Sequence, residues 1–189
     1  MSRKLLKNTL LIINFIIFLA SCSSLKEDIN YNKNNILDKI KAVDDNYFIF
    51  EQLLYVDIES QTLIHLEKGK ILSIYPISSS FYGTGSKKNS LKTPLGRHEI
   101  FKKLGGDLPI NAILKGRVWT GAIADVIKEP IDTDFDHVTS RILWLDGLEL
   151  GKNRGNDIDS RERYIYIHGT AEEGLIGRPA SDGCIRMYN

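Results

Sequence analysis

The chain has 189 residues, with 25 basic against 24 acidic side chains and a net charge of +1. That balance, without a basic run or stripe, excludes an electrostatic nucleic-acid surface and leaves no nucleic-acid partner to expect. The length and ordinary composition suit one domain with a real core.

The first residues carry a basic flank of Arg3, Lys4 and Lys7, followed by an apolar run from Leu10 to Ala20 broken only by Asn14. The run is too short to span a bilayer and has the form of a secretory signal. It ends in Leu19-Ala20-Ser21-Cys22, which resembles a bacterial lipobox, in which the cysteine is lipidated and becomes the new N-terminus. Residues 1–21 are therefore expected to be a signal peptide. The chain is expected to be exported and held on the periplasmic side of a bacterial membrane by a lipid on Cys22. Ser23 directly after it is compatible with sorting to an outer membrane. Loss of residues 1–21 removes three cations and no anion, which turns the small positive net charge into a small negative one. Acylation of Cys22 would leave Cys184 as the only thiol, so no intramolecular disulfide can form. A solitary thiol in an oxidising compartment points to a reactive role.

Residues 22–46 are polar and Asn-rich, as a tether would be, although Ile36, Leu37, Ile40 and Val43 have the spacing of a short helix. Residues 47–189 read as one mainly β domain. The segments 52–58, 62–66 and 70–77 are short runs rich in β-branched and aromatic residues, separated by turn signals, and predict a meander. "RILWLDG" at 141–147 is apolar through its centre, as in a strand buried on both faces. "RYIYIHG" at 163–169 alternates and predicts another strand. Long helical periodicity is absent and Gly, Pro, Asn and Asp are frequent between the runs. An antiparallel β-sandwich or barrel with long loops and few short helices is the expected class.

The alternation in "RYIYIHG" places Tyr164, Tyr166 and His168 on one face and Ile165 and Ile167 on the other. With the isoleucines in the core, His168 would lie on a polar, aromatic face, and the Gly169 carbonyl could accept from its ring. Downstream, "ASDGCIRM" at 180–187 sets Gly183 before Cys184, where an unshielded backbone offers two N–H groups to an oxyanion. Arg186 falls on the Cys184 side of an extended segment, where a cation would favour the thiolate or bind a substrate carboxylate. A thiol beside an imidazole base is the minimal equipment for acyl transfer through a thioester.

"YIHGT" followed by "LIGRPASDGCIRM" resembles the signature of the L,D-transpeptidase catalytic domain (YkuD) family, and "SSSFYGTGSKKNSLKTPLGRHEI" at 78–100 resembles the segment that leads into its Thr-Pro-x-Gly turn. The resemblance implies a cysteine acyltransferase on peptidoglycan stem peptides, working without cofactor or metal. It implies that Cys184 is the nucleophile, His168 the base and Gly169 its orienting carbonyl. It further implies an oxyanion site at the Gly183 and Cys184 N–H groups, an electrostatic role for Arg186 and a loop-shaping role for Ser181, and the candidate substrate-binding residues are Ser181, Asp182 and Tyr82. The carbonyl between the third stem residue and D-Ala would be attacked, D-Ala released, and the thioester resolved by an amine of a second stem peptide to give a 3–3 crosslink. Carbapenems are expected as covalent inhibitors. Resolution by water would make the chain an L,D-carboxypeptidase, and loss of chemistry would leave a silent peptidoglycan-binding lipoprotein.

The pattern departs from the family in two places. Asp182 stands where the family most often has His, and a carboxylate there would raise the cysteine pKa unless Arg178 or Arg186 pairs with it; a pair is expected. The sequence also stops at Asn189, where the family usually continues to a further strand, as a shortened variant or a C-terminally truncated fragment would; without that closing strand, an exposed sheet edge behind the site is expected. His65, His98 and His137 lack metal-ligand spacing, and the acidic stretch 131–137 reads as a solvated turn.

Overall fold

The computed structural model describes residues 33–189. The expected signal peptide, Cys22 and the start of the expected tether lie outside the described residues. Residues 33–43 are helical, and Ile40 is the member of the apolar spacing that becomes buried, while Val43 stays exposed. Three strands follow: β1 (Gln52–Asp57), β2 (Thr62–Glu67) and β3 (Lys70–Pro76), paired in that order as a three-stranded sheet. The described residues divide into two units, one of 33–53 with 66–72 and one of 54–65 with 73–189. In the first, Gln52 Nε2 donates to Glu67 Oε1 at 3.0 Å, and Gly69 (φ +75°) turns where a Cβ would come within 2.9 Å of Phe48 Cβ.

The second unit holds a six-stranded sheet of β4 (His98–Leu104), β5 (Ala112–Lys115), β6 (Val118–Ile123), β7 (Val138–Gly147), β8 (Tyr166–Thr170) and β9 (Ile185–Met187). The main path runs β6-β5-β7-β8-β9, and β4 pairs with the C-terminal half of β7. All of its pairings are antiparallel except β8 with β9, which run parallel through the crossover at 171–184. The expected antiparallel class is therefore mainly β but mixed. The parallel pair is the part that sets the site.

The two faces of that pair bury different chemistry. On one, Ile167 and Ile185 join Leu63 of β2 and Ile77 in an apolar cluster flanked by Leu54, Val56, Leu143 and Leu145. On the other, Tyr166 packs with Leu114 and Ile142, and Trp144 and Cys184 border them. β8 is buried on both faces, so the expected polar face is an interior one. The strand also begins later than the alternation predicts. Tyr164 sits in a turn at φ +57°, its N–H bonded to the Arg161 carbonyl, so the chain enters β8 only at Tyr166.

The outer edge of β9 is covered. Ser78 bridges Arg186 with two backbone bonds, Ser78 N to Arg186 O at 2.9 Å and Arg186 N to Ser78 O at 2.8 Å, and Ser79 accepts from Ala180 and Ser181. The segment before the glycine loop thus occupies the position where an open edge was expected. Asn189 ties the end of the chain down. Its Nδ2 donates to the Thr170 carbonyl at 2.6 Å, while its Oδ1 accepts from Thr139 Oγ1 and Ser140 Oγ at 2.6 Å each.

Candidate active site

The parallel register pairs Ile167 with Ile185 and His168 with Arg186. Alternation then sets Tyr166, His168, Cys184 and Arg186 on one face, with Cys184 diagonal to His168 across two adjacent chains. The fifteen residues between His168 and Cys184 therefore carry the crossover that brings the two onto one surface.

His168 is 3% exposed, and its Nδ1–H donates to the Gly169 carbonyl at 2.7 Å. A carbonyl can only accept, so Nδ1 carries the proton and Nε2 keeps its lone pair. Burial holds the imidazole pKa below its ordinary 6.5, with Asp136 and the Gly169 carbonyl opposing and Arg186 adding to the shift. The ring is a neutral base at pH 7. Gly169 must remain a glycine, because a Cβ there would lie 2.5 Å from Asn189 Oδ1 and 3.0 Å from the Thr139 carbonyl.

Cys184 is partly buried, and its sulfur accepts from Tyr166 N–H at 3.3 Å and donates to the Tyr164 carbonyl at 3.5 Å. No hydrogen bond joins it to His168. Burial is the chief cause that pushes its pKa up to about 12, and Asp136 adds to the rise, while the Tyr166 N–H, Arg186 and Arg163 pull the other way. The resting thiol is neutral: Arg186 acts in the direction that favours the thiolate, but burial outweighs it. Arg186 is 2% exposed and committed elsewhere: Nη1 to Glu172 Oε2 at 2.9 Å and Nη2 to Asp136 Oδ2 at 2.8 Å. Glu172, fully buried, also accepts from Thr133 N–H and Oγ1 at 2.8 and 2.6 Å. The guanidinium thus has a carboxylate on each terminal nitrogen, while its buried Nε has no partner.

The loop around the cysteine is pinned from within. Ser181 is fully buried; its hydroxyl donates to the Cys184 carbonyl at 2.6 Å and accepts from Gly183 N–H at 3.2 Å. That corrects two expectations, since Ser181 cannot reach a substrate and the Gly183 N–H is already bonded. Of the two expected oxyanion donors, the Cys184 N–H remains. Gly183 holds φ +120°, and its carbonyl accepts from Thr93 Oγ1 at 3.1 Å, which explains why the Thr-Pro-x-Gly turn accompanies the cysteine loop in the sequence. Arg163 fastens the glycine loop over the site by donating to the Lys92 carbonyl at 2.7 Å and the Gly85 carbonyl at 3.3 Å.

Asp182 is exposed and forms no ion pair, so the expected partner in Arg178 or Arg186 is absent. The carboxylate that acts on the thiol is Asp136, from the acidic stretch that reads as a solvated turn. A cavity of about 320 Å³ opens beside Arg186, with Phe81 and Tyr82 as an aromatic wall and Asp132, Asp134, Asp136 and Asp182 among its lining. Among the described residues, no group of three or more His, Cys, Asp or Glu side chains is placed to hold a metal. His98 is instead bonded through its ring nitrogens to the Gly96 carbonyl at 2.9 Å and Ser160 Oγ at 2.8 Å, and His137 stacks on Phe135.

Sequence reasoning missed Glu172, Thr133 and Arg163, and misassigned Asp136. A pair of carboxylates, Glu172 and Glu173, four and five residues past His168 was the available signal for Glu172; nothing in the local sequence marks Arg163.

The model of the L,D-transpeptidase catalytic domain (YkuD) family matches residues 51–189. Among solved structures, the chain is similar to the L,D-transpeptidase of Xylanimonas cellulosilytica at 18% identity, covering 73% of this chain and 50% of that one, with a TM-score of 0.37. It is similar to LD transpeptidase LdtMt1 in complex with imipenem at 16% identity, covering 73% and 50%, with a TM-score of 0.41. It is also similar to L,D-transpeptidase 3 of Mycobacterium tuberculosis in complex with a faropenem-derived adduct at 13% identity, covering 74% and 52%, with a TM-score of 0.42. The chain spans about half the length of these structures. No curated protein matches it. The match along residues 51–189 places the chain in the L,D-transpeptidase catalytic domain (YkuD) family.

Proposed function

We propose that the chain is a peptidoglycan L,D-transpeptidase with Cys184 as nucleophile and His168 as base, exported and anchored to a bacterial membrane through lipidated Cys22. The observation that carries the reading is the pairing of β8 with β9, which sets a neutral imidazole with a free Nε2 on the same face as the family's cysteine.

The chemistry follows from the two shifted groups. A thiol whose pKa is near 12 does not ionise beside a depressed imidazole, so its proton leaves as the S–C bond forms. Nε2 takes that proton while Sγ adds to the carbonyl between the third stem residue and D-Ala, and the Cys184 N–H meets the developing oxyanion. The C–N bond then breaks, His168 returns the proton to the departing D-Ala amine, and a thioester remains. An amine of a second stem peptide attacks it, His168 accepts the amine proton, and the sulfur leaves as the thiol, giving the 3–3 crosslink. The Gly169 carbonyl keeps the ring in the tautomer that both half-reactions need. Carbapenems acylate the same sulfur in this reading, in keeping with the imipenem and faropenem-derived complexes of the similar structures.

The test incubates the purified full chain with a stem tetrapeptide and analyses the products by mass. Dimeric peptide with loss of D-Ala is the expected result. Tripeptide alone would assign the hydrolytic reaction, and absence of any D-Ala release from folded protein would overturn the proposal.

A further inference from the structure

Both terminal nitrogens of Arg186 are taken by Glu172 and Asp136, and a second arginine reaches the same face. Arg117 donates Nη1 to Tyr166 Oη at 3.2 Å, and its guanidinium carbon stands 4.6 Å from the centre of the Trp144 ring and 4.9 Å from that of Tyr164. The side chain is partly exposed and forms no ion pair. A guanidinium has five donors in a planar fork; here the phenols of Tyr166 and Tyr164 engage part of that set, and two aromatic rings fix the plane.

The backbone holds it there against preference. Gly116 and Arg117 connect β5 to β6 at φ +56° and +71°, a two-residue hairpin loop with both residues left-handed, in which glycine is the favoured second residue. Tyr164, the other side of the stack, is left-handed as well at φ +57°. Bulky side chains in that region are uncommon and cluster where a site requires them.

Tyr166 connects this shelf to the sulfur. Its backbone N–H donates to Cys184 Sγ and its phenol accepts from Arg117, so the guanidinium stands one tyrosine length from the nucleophile. Tyr164 contributes at both ends too, its carbonyl at the sulfur and its ring under Arg117. One amino acid beyond a scissile carbonyl covers a span of that order.

We infer that Arg117, stacked on Trp144 and Tyr164, binds the C-terminal carboxylate of the donor peptide, on the residue that leaves when Cys184 is acylated. The inference rests on the peptidyl-transfer reading above and deepens it: the shelf restricts the enzyme to donors with a single free-acid residue after the scissile bond. Arg117 is then a substrate-binding residue, and the strain at 117 serves that contact rather than the hairpin.

The test compares a tetrapeptide ending in L-lysyl-D-alanine as free acid with the same peptide as its C-terminal carboxamide. The purified full chain and its Arg117→Gln, Arg117→Gly and Arg117→Lys variants are assayed for release of the terminal residue. The parent is expected to favour the acid by about tenfold or more in kcat/KM, the scale of a charge-assisted bond. Arg117→Gln and Arg117→Gly should lose about that factor on the acid and less than about threefold on the amide, with Arg117→Lys recovering part of it. Glycine also relieves the left-handed strain, so Tm of that variant should stay within about 3 °C of the parent, whereas a merely structural arginine would lower it. Equal turnover of acid and amide by the parent, or a preference that survives in both variants, overturns the subsite and leaves the transfer reading standing. No release from either peptide by folded parent overturns that reading and the subsite with it.

Discussion

The β8–β9 ribbon has two faces that solve burial in opposite ways. Ile167 and Ile185 on one face need only neighbours of the right shape, and Leu63 and Ile77 provide them. His168, Cys184 and Arg186 on the other are as inaccessible or nearly so, but they carry polar atoms that need partners; the next residue's carbonyl serves His168, whereas those of Cys184 and Arg186 come from distant parts of the chain. The apolar face holds the strands together, while the polar face fixes protonation states. Damage to the first should cost stability alone, and damage to the second should change chemistry as well.

The largest expected effect concerns the thiol. With its pKa at about 12, Cys184 should be alkylated by iodoacetamide at pH 9 about two to three orders of magnitude more slowly than a free cysteine of pKa near 8.5, with the rate still rising toward pH 12. A plateau near pH 8 or 9 would show that the polar face does not restrain ionisation. The unfolded chain releases this proton near its ordinary value and the folded chain holds it to about 12, so stability from this group is complete below pH 9 and is lost as pH rises from 9 to 12. His168 has the opposite sign. Its depressed pKa costs nothing while the ring is neutral, and stability falls as pH drops through 6.5 and below.

Next in size is Arg186→Leu, which leaves Glu172 buried without its cation. A loss of about 3–5 kcal/mol is expected, seen as a fall in Tm of about 10 °C. Adding Glu172→Gln should restore part of it; failure to do so would mean that the pair is not the source of the loss. On the apolar face, Ile167→Ala should cost about 2–4 kcal/mol in denaturant unfolding while the alkylation profile of Cys184 keeps its shape. The smallest effect belongs to Asp182→Asn. Exposed and unpaired, Asp182 should contribute within about 0.5 kcal/mol to stability and leave the thiol's titration in place. A marked rise in alkylation rate would return the carboxylate influence from Asp136 to Asp182.

The apolar face was legible before any coordinates, because strand alternation states directly which side chains share a surface. Ile167 against His168 followed from "RYIYIHG", and β1, β2 and β3 lie where the β-branched runs predict them. The polar face was legible only in its named residues. His168, Cys184 and Arg186 could be picked out, but their partners Glu172, Asp136 and Thr133 are joined to them by a crossover and a loop whose paths leave no local periodicity. The same limit explains why Arg186 was expected at the substrate and Asp182 in an ion pair. β5 and β6 were missed because both are short, one of them exposed along its whole length, and the turn between them carries Gly-Arg rather than a familiar hairpin pair.

The most direct measurement is intact-mass spectrometry of the full chain after incubation with a carbapenem, beside Cys184→Ala and His168→Ala. The account predicts one covalent adduct on the parent, none on the Cys184 variant and slowed formation on the His168 variant. An unmodified parent that is demonstrably folded, or an adduct that survives replacement of Cys184, would contradict it.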